Sequence, residues 1–266
     1  SISSNALNFI LKKIFAVIEN RDKNLGDPKK ILIIRQHNQL GDMLAGVSLF
    51  RAVKEKYPHT HLTLLSSRDN YYGVVKNKLI DELLVFDKSK MFIPIKLISF
   101  IKKIRQEFDL TIVPVTVSIS FTSNLIARLS KSKIRIGPRS LDGKLNDSAY
   151  LFDRRVDIDW RKYPDSNVSE HILEIVRPFG IDTKDLSSEI SFDESDNKEA
   201  KNFISEIQPD TKSLLVGLHV GAGKPANRWS LNKYVELIQK LNSNYNCVFY
   251  LTGSDADSEE LKYVIS

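Results

Sequence analysis

Residues 30–58, KILIIRQHNQLGDMLAGVSLFRAVKEKYP, constrain this chain more than any other stretch. Ile31, Leu32, Ile33 and Ile34 form an unbroken apolar run, the pattern of a parallel strand covered on both faces rather than one half open to water. Polarity begins at Arg35. From Met43 onward apolar side chains recur at Val47, Phe50, Val53 and Tyr57, and Pro58 follows; the spacing predicts a helix with one buried stripe. Gly41-Asp42 then stands at the helix start, where a carboxylate meets unpaired amides and the positive end of the helix dipole. Capping is the ordinary role of such an Asp. The turn also lies at the carboxyl end of a strand, where open α/β sheets bind ligands, which makes Asp42 a candidate catalytic carboxylate as well.

The flanking sequence repeats the alternation of strand and helix. Residues 61–65, 82–86, 110–113 and 133–136 read as further strands, the last closed by Gly137-Pro138. Helices are predicted over 69–78, 91–108, 124–129 and 169–179, and strands alternating with helices imply a parallel sheet. Before the first strand, residues 5–18 place Leu7, Ile10, Leu11, Ile14, Val17 and Ile18 on one helical face, for which core packing is the commoner fate and membrane contact the alternative. In 91–108, Ile98, Ile101, Ile104 and Phe108 are expected to face the core. Phe92, Ile93 and Phe100 are surplus to that stripe and, with Lys96, Lys102 and Lys103, could meet an anionic membrane. Residues 140–163 read as a long polar loop whose Arg139 flank, Lys144, Arg154, Arg155, Arg161 and Lys162 could meet a phosphorylated acceptor or simply be solvated.

Residues 182–196 are acidic, Ser-rich and without apolar periodicity, the best linker in the chain, and an exposed helix over 197–207 follows. The second unit repeats the logic of the first: a buried strand at 214–218, a glycine-containing turn at 219–228, a helix that Ser230 can cap, a strand at 248–251, the turn Thr252-Gly253 and a helix from Ser258. Two strands are fewer than the four to six of an ordinary sheet, so the chain is expected to be truncated.

At 266 residues there is room for two domains, and 42% hydrophobic with 27% charged residues is the balance of a water-soluble globular chain. The one cysteine, Cys247, sits in an apolar run and reads as a buried structural thiol, in keeping with a reducing cytoplasm. A net charge of +6 points to an anionic partner, whether nucleic acid, membrane surface or phosphorylated substrate. No run approaches the roughly 20 apolar residues of a membrane span.

Taken together, several strings resemble glycosyltransferase family 9, the bacterial heptosyltransferases of the lipopolysaccharide core. They are a first strand ending in Arg35, the Gly41-Asp42 helix start with its Lys-Tyr-Pro end, Ala-Arg-Leu followed by Arg-Ile-Gly at 127–137, and His219-Val-Gly-Ala-Gly followed by Arg228-Trp229, Tyr234 and Leu237. The resemblance covers residues 30–266. It implies a GT-B architecture of two Rossmann-like domains with the active site between them: an acceptor-side domain over 1–181 with its leading amphipathic helix, a linker and connecting helix over 182–209, and the start of a nucleotide-sugar-binding domain over 210–266.

Carried over by position, the resemblance makes Asp42 the catalytic base, with Gly41, Arg35 and Arg139 on the acceptor side. It makes Gly221, Ala222, Gly223, Lys224, Asn227, Arg228, Thr252, Gly253 and Asp257 the donor-binding set. Family members often carry Lys where Asn227 stands, so Lys224 or Arg228 must supply the charge, and Pro114-Val115-Thr116 replaces an acidic or amide residue. The implied partners are a nucleotide sugar such as ADP-heptose, a lipid-linked saccharide and the anionic inner-membrane surface, with no nucleic acid and no metal cofactor; the implied location is cytoplasmic and peripheral. The Asp-Ser-Gly-x-x-His segment that completes the family's donor site is missing from the 266 residues, which are therefore expected to be inactive alone. Alternatives are a GT-B enzyme for another nucleotide sugar and a non-catalytic nucleotide-binding or scaffold homologue.

Overall fold

The computed structural model describes residues 4–36, 39–115, 118–208, 210 and 212–265, with side chains from residue 9 onward. They form two compact units, Ser1–Phe192 and Asp193–Ser266.

In the first unit the elements run α1 (Ser4–Phe15), β1 (Lys30–Arg35), α2 (Leu40–Ala45), α3 (Val47–Lys56), β2 (His61–Ser67), β3 (Glu82–Phe86), α4 (Pro94–Ile104), β4 (Glu107–Ile112), α5 (Phe121–Leu129), β5 (Lys131–Leu141), β6 (Lys144–Leu145), β7 (Arg154–Ile158) and α6 (Val168–His171). Strands β3-β2-β1-β4-β5 pair in that order and in parallel, with β6 antiparallel and β7 parallel to β5. Because side chains alternate across a strand, β1 sends Ile31 and Ile33 into one core and Leu32 and Ile34 into the other. The first core is closed by Met43, Val47, Phe50 and Val53 of α2 and α3, the second by Phe100 and Ile104 of α4 and Ile126 and Ala127 of α5. This is why β1 reads as an unbroken apolar run. The order reverses between β1 and β4, which opens a crevice at their carboxyl ends.

Several expectations are corrected by tertiary pairing. The helix after β1 is two helices, broken at Gly46, where an added Cβ would lie 3.0 Å from the Met43 carbonyl and 3.2 Å from Ile172. Over 69–78 only the 3₁₀ turn Tyr71–Gly73 forms, with Gly73 close against Leu40. The helix over 91–108 ends at Ile104, and Phe108 is buried from within β4 instead. β5 does not stop at Gly137-Pro138: its far half pairs with β7, with a register shift at Pro138 that accommodates the missing N–H. The stretch over 140–163 is therefore not a loop but a hairpin, β7 and two 3₁₀ turns, with Asp142 and Gly143 both at positive φ in the tight connection. Phe9, Ile10 and Ile14 of α1 are exposed rather than packed in a core.

Gly137 faces the ring of Phe152, which is fully buried; an added Cβ would stand 2.2 Å from that ring. Gly137→Ala is expected to cost about 1–3 kcal/mol through overpacking, read as a fall in Tm of roughly 2–4 °C per kcal/mol by calorimetry. An unchanged Tm would mean that the ring has somewhere to go.

The second unit comprises α7 (Glu194–Ile207), β8 (Leu214–His219), α8 (Leu231–Asn244), β9 (Cys247–Thr252) and α9 (Ser258–Ile265). β8 and β9 pair in parallel from Leu214↔Cys247 to His219↔Thr252. α7 starts three residues before the expected 197 because Asp193 and Asp196 form a reciprocal capping box. Cys247 is half-buried. Among the described residues no helix is long and apolar enough to cross a membrane.

Candidate functional site

On the first unit, the carboxyl ends of β1, β2 and β3 line a pocket of about 440 Å³ through Gln36, Ser67, Arg68, Asp69, Asp87 and Lys88. Gln36 Nε2 donates to Ser120 Oγ (3.0 Å) and Ser123 Oγ (3.2 Å), tying the end of β1 to the start of α5 across the crevice. None of these pocket residues stands out in the sequence. The Ser120 cap on α5 is the only signal that could have led to Gln36.

Asp42 follows the same strand. It lies in the first turn of α2 rather than at its N-cap, which is Gln39, whose side chain makes no cap hydrogen bond. Its carboxylate is half-buried, with Oδ2 buried and without a hydrogen-bond partner among the described residues. Gly41 beside it is exposed, with open space where a Cβ would be. Arg35, expected on the acceptor side, is 1% exposed and does not face solvent. Its Nη2 donates to the Asp42 backbone carbonyl at 2.7 Å. Burial pushes the guanidinium pKa down to about 10 against the opposing attraction of Asp42, so Arg35 stays charged at neutral pH. A buried cation needs a nearby anion, and Asp42 is one.

Arg139 is not brought to this turn. It pairs with Glu19 and, at 3.3 Å, with Asp157, and lines a separate pocket of about 270 Å³. The hydrogen bond from Arg139, aided by Arg155 and Arg21, holds the Glu19 carboxyl below its usual range. Its basic neighbours are mostly occupied too: Arg154 donates to the Asp22 carbonyl (2.6 Å), Arg155 to the Val17 carbonyl (2.9 Å) and Arg161 to Asp159 (2.7 Å). Val115 after β4 is buried, whereas Thr116 lies outside the described residues.

On the second unit the turns that follow β8 and β9 converge. A Cβ on Gly221 would sit 2.4 Å from the Asp257 carboxylate, so only glycine lets this backbone approach. Asp257 accepts from Ser254 N (2.8 Å) and Ser254 Oγ (2.6 Å), and these bonds hold its carboxyl below the usual range. Arg228 closes the cluster, donating to the Ala222 carbonyl at 3.1 Å and pairing with Glu260 (2.5 Å) and Asp257 (3.7 Å). Gly253 packs on Asp257 and Leu261, and Thr252 Oγ1 meets His219 Nδ1 at 3.0 Å. The Tyr234 hydroxyl donates to the His219 carbonyl at 2.9 Å.

Gly223, Lys224 and Asn227 stand exposed at the rim, and Lys224 is in no ion pair among the described residues. With Arg228 already matched by two carboxylates, Lys224 is the cation left to meet an anion. Ser254 and Glu260 escape sequence reasoning, although Ser254-x-x-Asp257 has capping-box spacing. Among the described residues no three His, Cys, Asp or Glu side chains gather as a metal site.

Residues 97–266 match the sequence profile described as "Glycosyltransferase family 9 (heptosyltransferase)"; Asp42 precedes the matched stretch. The fold is similar to that of a glycosyl transferase family 9 protein from Veillonella parvula, with a TM-score of 0.73 and 18% identity over 89% of this chain and 66% of that one. It is similar to the E. coli ADP-heptose lps heptosyltransferase II (TM-score 0.67, 20% identity, 89% and 68%) and to E. coli heptosyltransferase WaaC with ADP (TM-score 0.61, 14% identity, 88% and 71%). The chain thus spans about two thirds of the length of these structures. No curated protein matches it. The fold is α/β of GT-B type, with Rossmann-like units, and the profile match extends over more than half of the residues: this chain belongs to glycosyltransferase family 9.

Proposed function

We propose that the protein containing this chain is an inverting glycosyltransferase that moves heptose from ADP-heptose to a saccharide carried on a lipid, as in assembly of the lipopolysaccharide core, at the cytoplasmic surface of the inner membrane. Asp42 takes the proton of the acceptor hydroxyl as that oxygen bonds to the anomeric carbon. The bond from that carbon to the diphosphate breaks, one displacement inverts the configuration, and the ADP leaves with its negative charge met by Lys224 and the amides of the turn at 221–223. The scheme calls for no metal cofactor. Gly41 leaves room for the acceptor and Arg35 holds Asp42.

The observation that carries this reading is the second unit's turn, where Gly221 approaches Asp257, Arg228 is neutralised by Asp257 and Glu260, and Lys224 forms no ion pair among the described residues. Its test is calorimetric titration with ADP, UDP and GDP. ADP is expected to bind best, and Lys224→Ala to weaken it about tenfold, or roughly 1.4 kcal/mol. If Lys224→Ala leaves ADP affinity unchanged, or UDP or GDP binds better, the donor assignment fails.

A further inference from the structure

We infer that the outer face of α4, with the 3₁₀ turn before it, is the surface on which the protein lies against an anionic membrane, with Phe92, Ile95 and Ile98 entering the bilayer boundary and Lys88, Lys96 and Lys102 meeting headgroups. This deepens the acceptor reading above by stating where the lipid that carries the saccharide reaches the protein.

The core does not need these side chains. α4 closes the second core with Phe100 and Ile104, and the Phe100 ring lies 5.2 Å from that of Phe86. On its other side Phe92 is 87% exposed, Ile95 72% and Ile98 66%. Ile95 and Ile98 are one turn apart, and Phe92 stands just before them, so they form one patch rather than scattered contacts with water. Of the surplus apolar residues expected from the sequence, Phe92 and Ile93 are exposed and Phe100 is core.

Charge selects the occupant. Residues 88–105 hold Lys88, Lys90, Lys96, Lys102, Lys103 and Arg105 and no acidic residue, a local charge equal to the +6 of the whole chain. Only Lys90 among them forms an ion pair among the described residues, with Asp87 at 3.3 Å. An exposed apolar strip among cations of one sign matches a sheet of anionic headgroups, whereas a protein partner would need opposing charges presented in a matching groove. Position supports the same occupant. The 3₁₀ turn Lys88–Phe92 begins at Lys88, which lines the pocket at the carboxyl ends of β1 to β3, and ends at Phe92. Four residues at about 2.0 Å each separate pocket from patch by roughly 8 Å, so a lipid chain can stay in the bilayer while its saccharide enters the pocket.

The test is co-sedimentation with vesicles of phosphatidylcholine containing 30% phosphatidylglycerol; they contain no saccharide, so the outcome does not depend on the transfer reaction. The chain should bind these and not pure phosphatidylcholine, and release in high salt. Phe92→Ser, Ile95→Ser and Ile98→Ser together should weaken binding at least tenfold with circular dichroism unchanged. As a check independent of that variant's folding, a polarity-sensitive dye on Ile95→Cys in a Cys247→Ser background should shift to the blue on anionic vesicles. Undiminished binding by the triple variant, a dye that stays in water, or loss of binding on changing Phe9 and Ile14 of α1 instead would overturn the inference. So would a triple variant that keeps vesicle binding but dissolves a dimer seen by sedimentation velocity, since the face would then belong to a second copy.

Discussion

Asp42→Asn is expected to lower transfer by about 10²–10⁴-fold, the usual worth of a general base, while ADP affinity stays within twofold of the parent. Asn has the shape of Asp but cannot accept a proton in the transition state. The backbone carbonyl of residue 42 still receives the Arg35 hydrogen bond, so the turn keeps its anchor. The turn proposed to hold the donor belongs to the other compact unit, Asp193–Ser266. Asn leaves the buried Arg35 guanidinium without the Asp42 charge that attracts it, so Tm falls by several degrees while the fold is kept. Rates of transfer and ADP titrations on the same preparation separate the possibilities. A variant that keeps more than half the activity would reduce Asp42 to an ordinary first-turn acidic residue of α2.

β1 was legible because both of its faces are buried, which leaves no polar position to confuse strand with loop. α4 ends four residues early because Glu107 and Phe108 are drawn into β4, whose partner Lys131 is distant in sequence and cannot be sensed by a local period. β5 was cut short at Gly137-Pro138 for a related reason. Proline and glycine report local conformation, whereas what extends β5 is β7, some twenty residues on. The Asp142-Gly143 pair carried a usable hairpin signal, hidden within a run of charged residues that reads as solvated loop. In the second unit the string from His219 to Trp229 marks the turn where Gly221 meets Asp257, but its spelling leaves Lys224 and Arg228 equivalent. Only the contacts of Asp257 and of Glu260, the latter on a helix whose acidic residues read as ordinary surface, show which cation is already matched. Arg35 is the reverse case: a strand-end arginine reads as a ligand contact, and its 1% exposure makes it an internal support.

That support can be removed. Arg35→Met keeps the length and apolar stem of the side chain but takes away the donor to the Asp42 carbonyl and the cation beside the Asp42 carboxylate, one of whose oxygens is buried without a partner among the described residues. Removing the guanidinium takes away its hydrogen bond to the Asp42 carbonyl, and hydrogen bonds to charged groups are worth about 1.5–3 kcal/mol, so a loss of about 2 kcal/mol is expected. Urea melts at neutral pH should show the loss directly. Arg35→Met combined with Asp42→Asn leaves neither charge, and replacing a whole buried pair is often nearly neutral. The double variant should regain most of the stability and none of the transfer. A double variant no more stable than Arg35→Met alone would show that Arg35 acts by filling space beneath the turn and not by balancing Asp42.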